Sequence, residues 1–339
     1  MMMQINRGVI SIGNTCNLRC RHCYDINNLP NQTNVSNLDI EVLDWFQRLG
    51  IKNVGISGGE PFITRGLMYQ YLDKCQQFGF KTNIASNGTL ITEDDIKKLK
   101  QYENVTIQIS LDGTKKYHEY IRGIGTYEST ISVVKKLISA SIGTNVIMTI
   151  NKKNYMCLES FCAEISDLGL NQIFFERYVP SNRIDELALD LKTVEEAYEI
   201  LYKIESEMSL KIHINDPMYL AFKLSKLESD LRDLTIGFIN ESNACVGCSL
   251  CKTSIYVKSN GDVFPCVFWD QSLGNYQHLT PQDLQSRFSS MLYELEGSDS
   301  KCLKCLYKDV CGGCKAISKK YGGDWKGDND LCFIYSEIT

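Results

Sequence analysis

No run of roughly 18 uncharged apolar residues occurs anywhere in the 339-residue sequence, so no segment reads as a membrane-spanning helix. The start, MMMQINRGVISIG, lacks the long apolar stretch and small-residue cleavage site of a secretory signal, and a cytoplasmic protein is expected. An excess of positive charge is missing as well. Lys and Arg number 36 against 41 Asp and Glu, a formal charge of −5 with the signs interspersed, which argues against a nucleic-acid-binding stripe and a polybasic membrane patch. Histidine is scarce: His118, His213 and His278 are isolated and expected to be structural. There is no low-complexity linker, and no repeat beyond an alternation of strand-like and helix-like segments.

Cysteine is what the chain has in plenty, 15 residues of it. Without an export signal these cannot easily form a disulfide framework, because cytosolic thiols are kept reduced, and metal is the better explanation. Cys16, Cys20 and Cys23 crowd into CNLRCRHC, nine more fall between residues 245 and 332, and Cys75, Cys157 and Cys162 lie between. Those last three fit small, buried apolar side chains.

The hydrophobic fraction, 43%, is enough for a sizeable core. β-branched runs at 8–12, 52–57, 81–86, 105–111, 144–150 and 172–178 read as strands, separated by amphipathic segments of helical period such as LDIEVLDWFQRLG and TYESTISVVKKLISA. Six strand-then-helix units predict an α/β fold, a parallel sheet curled into a partial, open (β/α)6 barrel. Residues 183–232 read as helical and charged, and from 245 onward Gly, Cys, Asp and Ser dominate while periodicity weakens. The division expected is therefore 1–182, barrel; 183–240, helical bridge; 241–339, a metal-stapled region. Loops leaving the C-terminal ends of barrel strands form the functional face, and residues 13–24 are the first such loop.

Structural zinc closes its tetrahedron with four protein ligands, yet no further cysteine follows the first three for fifty residues. Catalytic zinc with three ligands, His22 among them, is one option. Three soft thiolates in a tight loop suit a 4Fe–4S cluster better, leaving one iron without a protein ligand and able to take a small molecule. Cys16-x3-Cys20-x2-Cys23 followed by Tyr24, on the loop after the first strand, resembles the signature of the radical S-adenosylmethionine (SAM) family. The resemblance implies that the open iron chelates SAM, whose reductive cleavage gives a 5′-deoxyadenosyl radical that abstracts hydrogen from a substrate. It also implies SAM-binding roles for Gly58, Gly59 and Glu60 in GGEP, Asn87 in ASNG, Ser110 and Asp112 in SLDG, Arg122 toward the SAM carboxylate, and Ile150 against adenine. His22, between cluster ligands, is expected to support them without binding metal.

The later cysteines, Cys251-x9-Gly261-x4-Cys266, then Cys302-x2-Cys305-x5-Cys311-x2-Cys314 and finally Cys332, resemble the SPASM extension of radical SAM enzymes. One departure stands out: Cys311 and Cys314 are separated by two residues where that pattern has three. The resemblance implies two auxiliary 4Fe–4S clusters, three with the first: one on Cys251, Cys266 and Cys314 with Cys245 or Cys248, the other on Cys302, Cys305, Cys311 and Cys332. Spacing points to Cys245, whereas Cys248 lies in GCSLC, similar to the GCSAG stretch of other SPASM enzymes. A zinc ribbon is the competing reading.

By resemblance the expected activity is oxidative modification, such as cross-linking, of a ribosomally made precursor peptide. Tetrapyrrole side-chain decarboxylation and sulfatase maturation are the alternatives. A non-catalytic electron carrier would not need the SAM-binding segments. With the cysteine motif starting at residue 16, no leader-binding domain is expected ahead of the barrel. A precursor would then be read by the barrel mouth, by residues 183–232 or by a separate leader-binding protein, and electrons would come from a flavodoxin or ferredoxin. Glu176, Arg177 and Tyr178, at the end of the sixth strand, are candidates for handling a proton or orienting substrate.

Overall fold

Every β-branched run singled out in the sequence forms a strand. The computed structural model describes residues 5–26, 29, 36–180, 185–241 and 247–334. Its strands are β1 Arg7–Ser11, β2 Asn53–Ser57, β3 Lys81–Ser86, β4 Val105–Ser110, β5 Gly143–Ile150, β6 Gln172–Arg177, β7 Lys211–Ile214, β8 Ser254–Val257 and β9 Val263–Phe264. Helices α1 Val42–Arg48, α2 Arg65–Gln77, α3 Glu93–Leu99, α4 Lys115–Arg122, α5 Thr126–Ser139 and α6 Leu158–Asp167 alternate with the first six strands. They are followed by α7 Leu191–Glu207, α8 Pro217–Ser225, α9 Ser229–Glu241, α10 Pro281–Glu296, α11 Lys301–Lys304 and α12 Lys315–Gly322. Among the described residues no helix is long and apolar enough to cross a membrane.

The chain divides into two compact units that cut across sequence order: Met1–Met148 with Cys251–Ser289, and Thr149–Leu250 with Ser290–Thr339. In the first unit β1 to β5 lie parallel and in chain order. Their register lines up Ile10, Ile56, Ile84 and Ile107 in one row, each wholly shielded from solvent. Burial of each such side chain is worth roughly 1.5–3 kcal/mol, so the row alone does much to hold the sheet in register. Trp45 and Phe46 of α1, Tyr71 of α2 and Leu137 of α5 are also fully buried in this unit. α3 starts on a capping box, with Thr92 Oγ1 accepting the Asp95 N–H and Asp95 Oδ2 accepting the Thr92 N–H.

Three short strands depart from the sequence reading. β8, from the cysteine-rich region, pairs in parallel with β1, Ile10 opposite Val257, and β9 turns back antiparallel on β8. Trp45 Nε1 donates to Leu279 O at 2.8 Å and ties α1 to the same segment. β7 arises inside the stretch read as helical and pairs with β6, Ile173 opposite Ile212. β7 and β8 are four residues long and β9 two, too short for a period of two to show, and β7 and β8 are drawn into extended form by partners distant in sequence.

In the second unit α7 opens on an Asp190–Thr193 capping box, and Asp216 caps α8 by accepting the Met218 N–H at 3.1 Å, with Pro217 in the first turn. Tyr198, Tyr219, Phe222 and Phe333 pack their rings together at centroid distances of 5.1–6.0 Å.

Candidate active site

The loop leaving β1 carries Cys16, Cys20 and Cys23, and the loops leaving β2, β3 and β4 hold it in place. Gly59 N donates to Gly13 O at 2.9 Å and Glu60 N to Thr15 O at 2.8 Å, so the GGE segment is stitched by backbone to the root of the cysteine loop. A Cβ at Gly59 would lie 2.1 Å from Thr15 O, an approach open only to glycine. Glu60 is buried and engaged on both oxygens: Oε1 accepts Phe62 N–H at 3.1 Å and Ser86 Oγ–H at 2.8 Å, and Oε2 accepts Asn87 N–H at 2.8 Å. Burial raises its pKa, and these three donors pull against that rise. In this structure the Glu60 carboxylate thus ties strand ends together. Asn87 in turn donates from Nδ2 to Asn17 Oδ1 at 3.0 Å, between the first two cysteines.

Asp112 follows β4 and is wholly buried. Arg122 Nε donates to its Oδ2 at 2.6 Å and His22 Nε2 lies 2.9 Å from the same oxygen. His118 accepts the Asp112 N–H at Nδ1, 3.2 Å away. Despite burial, the Arg122 guanidinium and His22 hold the Asp112 carboxyl well below the usual range. Arg122 Nη1 reaches 3.9 Å from Cys20 Sγ and Nη2 lies 3.4 Å from His22 Nε2. The arginine expected to meet the SAM carboxylate is therefore gripped by Asp112, and its far end faces the cysteine loop. That Asp112–His22–Arg122 linkage was not legible beforehand, since His22 lies ninety residues from its partner.

The three thiols suit a cluster. Burial pushes Cys16 up to about 11 and raises Cys20 and Cys23, so each keeps its proton until an electron-poor metal displaces it. Leu18 N–H points at Cys16 Sγ at 3.4 Å, a donor that favours thiolate. Tyr24 is exposed and meets Phe268 edge-on at 6.0 Å. Gly58 and Ser110 are half-buried at their strand ends. Ile150 is buried at the end of β5, where its carbonyl accepts the Tyr178 N–H.

Strand alternation separates the three residues at the end of β6. Glu176 is half-buried and accepts from Asn215 Nδ2 at 3.1 Å, and the Tyr178 hydroxyl donates to Asp185 Oδ2 at 2.5 Å. Arg177 points the other way, is buried, and pairs with Asp216 at 2.7 Å.

The second unit holds a cavity of about 460 Å³ lined by Cys302, Cys305, Cys311 and Cys332 together with Met218 and Tyr307. The amide two residues on donates to sulfur here too, Tyr307 N to Cys305 and Gly313 N to Cys311, both at 3.4 Å. Gly313 has φ of +71°, and a Cβ there would lie 2.9 Å from Cys302 Sγ, so a left-handed glycine lets the two cysteine loops close on each other. Among the described residues no group of three or more His, Cys, Asp or Glu is placed to hold a single metal ion. Cys251 and Cys266 belong to the first unit, Cys248 and Cys314 to the second. Cys245 lies outside the described residues. Cys75, Cys157 and Cys162 are buried, as expected of structural thiols.

Residues 10–165 match the model of the Radical SAM superfamily. Those residues make up a little under half of the chain. Cys16, Cys20 and Cys23 fall within the matched stretch. An AdoMet-dependent heme synthase of Oleidesulfovibrio alaskensis is 24% identical over 94% of this chain and 84% of its own. The mycofactocin maturase MftC of Mycobacterium tuberculosis is 26% identical over 94% of this chain and 80% of its own. Streptococcus suis SuiB bound to S-adenosylmethionine has the same fold, with a TM-score of 0.75 at 18% identity over 98% of this chain and 78% of that one, and SuiB has also been solved with its precursor peptide SuiA.

Proposed function

We propose that this radical SAM enzyme modifies a ribosomally made precursor peptide, and that residues 241–339 act as a SPASM extension carrying two auxiliary 4Fe–4S clusters, in a functional division of 1–182, 183–240 and 241–339. The observation that carries the reading is the three-thiol loop bonded by backbone to the GGE segment at the C-terminal ends of parallel strands. Likeness over nearly the whole chain to MftC, a maturase, and to SuiB supports a peptide substrate.

The cluster and SAM together supply a hydrogen-abstracting 5′-deoxyadenosyl radical. The chain's own residues prepare the place. Cys16, Cys20 and Cys23 would hold the cluster and leave one iron for SAM; Gly58 and Gly59 let backbone come close to the ligand; Glu60, Asn87, Ser110, Asp112, Arg122, Ile150 and Tyr24 would surround it. Buried Asp112 orients Arg122 and His22 beside the cysteine loop. In the second unit Cys302, Cys305, Cys311 and Cys332 hold one auxiliary cluster, while Cys251, Cys266 and Cys314 with Cys245 or Cys248 are assigned to the other. Glu176 and Tyr178 serve substrate orientation or proton handling, positioned by Asn215 and Asp185. A separate leader-binding protein and a flavodoxin or ferredoxin complete the system.

The test is anaerobic incubation of reconstituted protein with SAM, reductant and a precursor peptide encoded beside the gene. Mass spectrometry should show the peptide losing a pair of hydrogen atoms as deoxyadenosine forms. The likeness to heme synthases favours a second reading, tetrapyrrole side-chain decarboxylation, and an unchanged peptide alongside decarboxylation of a supplied iron porphyrin would establish it instead. About twelve irons per chain support the auxiliary clusters, and about four would remove them.

A further inference from the structure

Arg177, at the end of β6, is only 6% exposed. Its Nε is held 2.7 Å from Asp216 Oδ2. Asp216 has other partners: it accepts the Met218 N–H at the start of α8 and the Tyr198 hydroxyl. The guanidinium has no such company. Nη1 and Nη2 are buried and, among the described residues, neither meets a hydrogen-bond acceptor. A guanidinium has no way to shed its charge, so burying its fork dry is costly unless an anion comes to it.

Two sulfurs are close enough to act on Arg177 as well. After Asp216 and Tyr198, the Cys314 and Cys311 thiols are the charges it feels, and Asp216 in turn acts on Cys311. Lys315, next to Cys314 in the chain, is a second buried cation whose ammonium has no partner among the described residues. Asp216 is the start of the helix whose Met218 and Ala221 line the four-cysteine cavity. Two buried cations with idle donors, one acting on Cys311 of the cavity lining and the other following Cys314 in the chain, call for an anion that the described residues do not provide. A cluster bound by four thiolates is such an anion, and its sulfurs accept hydrogen bonds.

We propose that Arg177 directs Nη1 and Nη2 at the sulfurs of the auxiliary cluster held by Cys302, Cys305, Cys311 and Cys332, and thereby holds that cluster's reduction potential up. Reduction adds negative charge, which a fixed cation and donors to sulfur stabilise, while Asp216 opposes them. Arg177 is thus a positioning and tuning residue. The inference rests on the proposal that this cysteine set carries a 4Fe–4S cluster.

Redox titration of the reconstituted full-length protein, followed by electron paramagnetic resonance, tests it. The auxiliary signal is assigned by its loss in Cys302→Ala. Arg177→Gln should make reduction of that cluster about tenfold less favourable, about 59 mV for a one-electron couple. Asp216→Asn keeps the cation and removes the opposing charge, so it should shift the same signal upward. Arg177→Lys should fall between wild type and Arg177→Gln, and the barrel cluster should not move in any of them. Unchanged potentials at wild-type iron and sulfide content, or shifts of one sign in both Arg177→Gln and Asp216→Asn, would overturn the inference. If Arg177→Gln does not fold, a missing upward shift in Asp216→Asn is enough to sink it. A wild-type protein with only about four irons would bring down the cluster reading together with the inference, whereas about twelve irons without the shifts would bring down the inference alone.

Discussion

Each compact unit contains a buried arginine–aspartate pair beside cysteines, and the two pairs are satisfied to different degrees. Arg122 and Asp112, 2.6 Å apart, are surrounded: Cys20 Sγ lies 3.9 Å from Arg122 Nη1, and His22 Nε2 sits 2.9 Å from the carboxylate and 3.4 Å from Arg122 Nη2. Arg177 and Asp216, 2.7 Å apart, are lopsided, with the aspartate well supplied with donors and the arginine left, among the described residues, with two idle nitrogens. The difference shows how far protein groups meet each arginine. A charge pair is inexpensive in the interior only when both partners are fully hydrogen-bonded.

The largest test of this contrast is at the cysteines. Cys16→Ala should abolish deoxyadenosine formation, because the barrel loop has no spare thiolate, whereas Cys302→Ala should keep SAM cleavage while losing peptide product. Chromatography of deoxyadenosine and product checks both, and persistent cleavage in Cys16→Ala would break the assignment of the first site.

A smaller effect separates the arginines themselves. In metal-free protein, Arg122→Ala strips a fully buried carboxylate of its main partner and should cost about 3–5 kcal/mol. Arg177→Ala removes idle donors along with the pair and leaves Asp216 its Tyr198 and Met218 partners, so about 1–3 kcal/mol is expected. Urea unfolding of the two variants measures this, and equal losses would mean the pairs are equivalent after all.

The smallest effect is in pH dependence and belongs to the first pair. His118 is fully buried against Asp112, and burial lowers its pKa from 6.5 to about 4. The unfolded chain takes up a proton near pH 6.5 that the folded chain refuses until about pH 4, so stability falls as pH falls through that window. By the lower end the loss amounts to roughly 3 kcal/mol. His118→Gln should flatten the slope in unfolding curves recorded between those pH values, and an unchanged slope would free His118 from this role.

Much of the barrel could be read in advance because its strands carry their own signal: runs such as VTIQIS are mostly β-branched. The cysteine loop and the GGE segment were equally legible, being contiguous in sequence. β7 and β8 were not, because four residues carry no usable period and their partners lie far along the chain. Nor could the end of β6 be sorted. FERY reads as three polar side chains in one place, but alternation sends Arg177 to Asp216 and the cysteine-lined unit while Glu176 and Tyr178 find Asn215 and Asp185.

Local chemistry was the sequence's own: three thiolates within eight residues, glycines where backbone must approach backbone, and a periodicity that dictates parallel strands and covering helices. Such features depend on neighbours in the chain. Which aspartate grips which arginine, which segment of the cysteine-rich region completes the sheet beside β1, and which cation is left with donors to spare were decided only when the chain folded. Those outcomes depend on distances between residues far apart in sequence, and a buried charge takes its meaning from whatever packing brings against it.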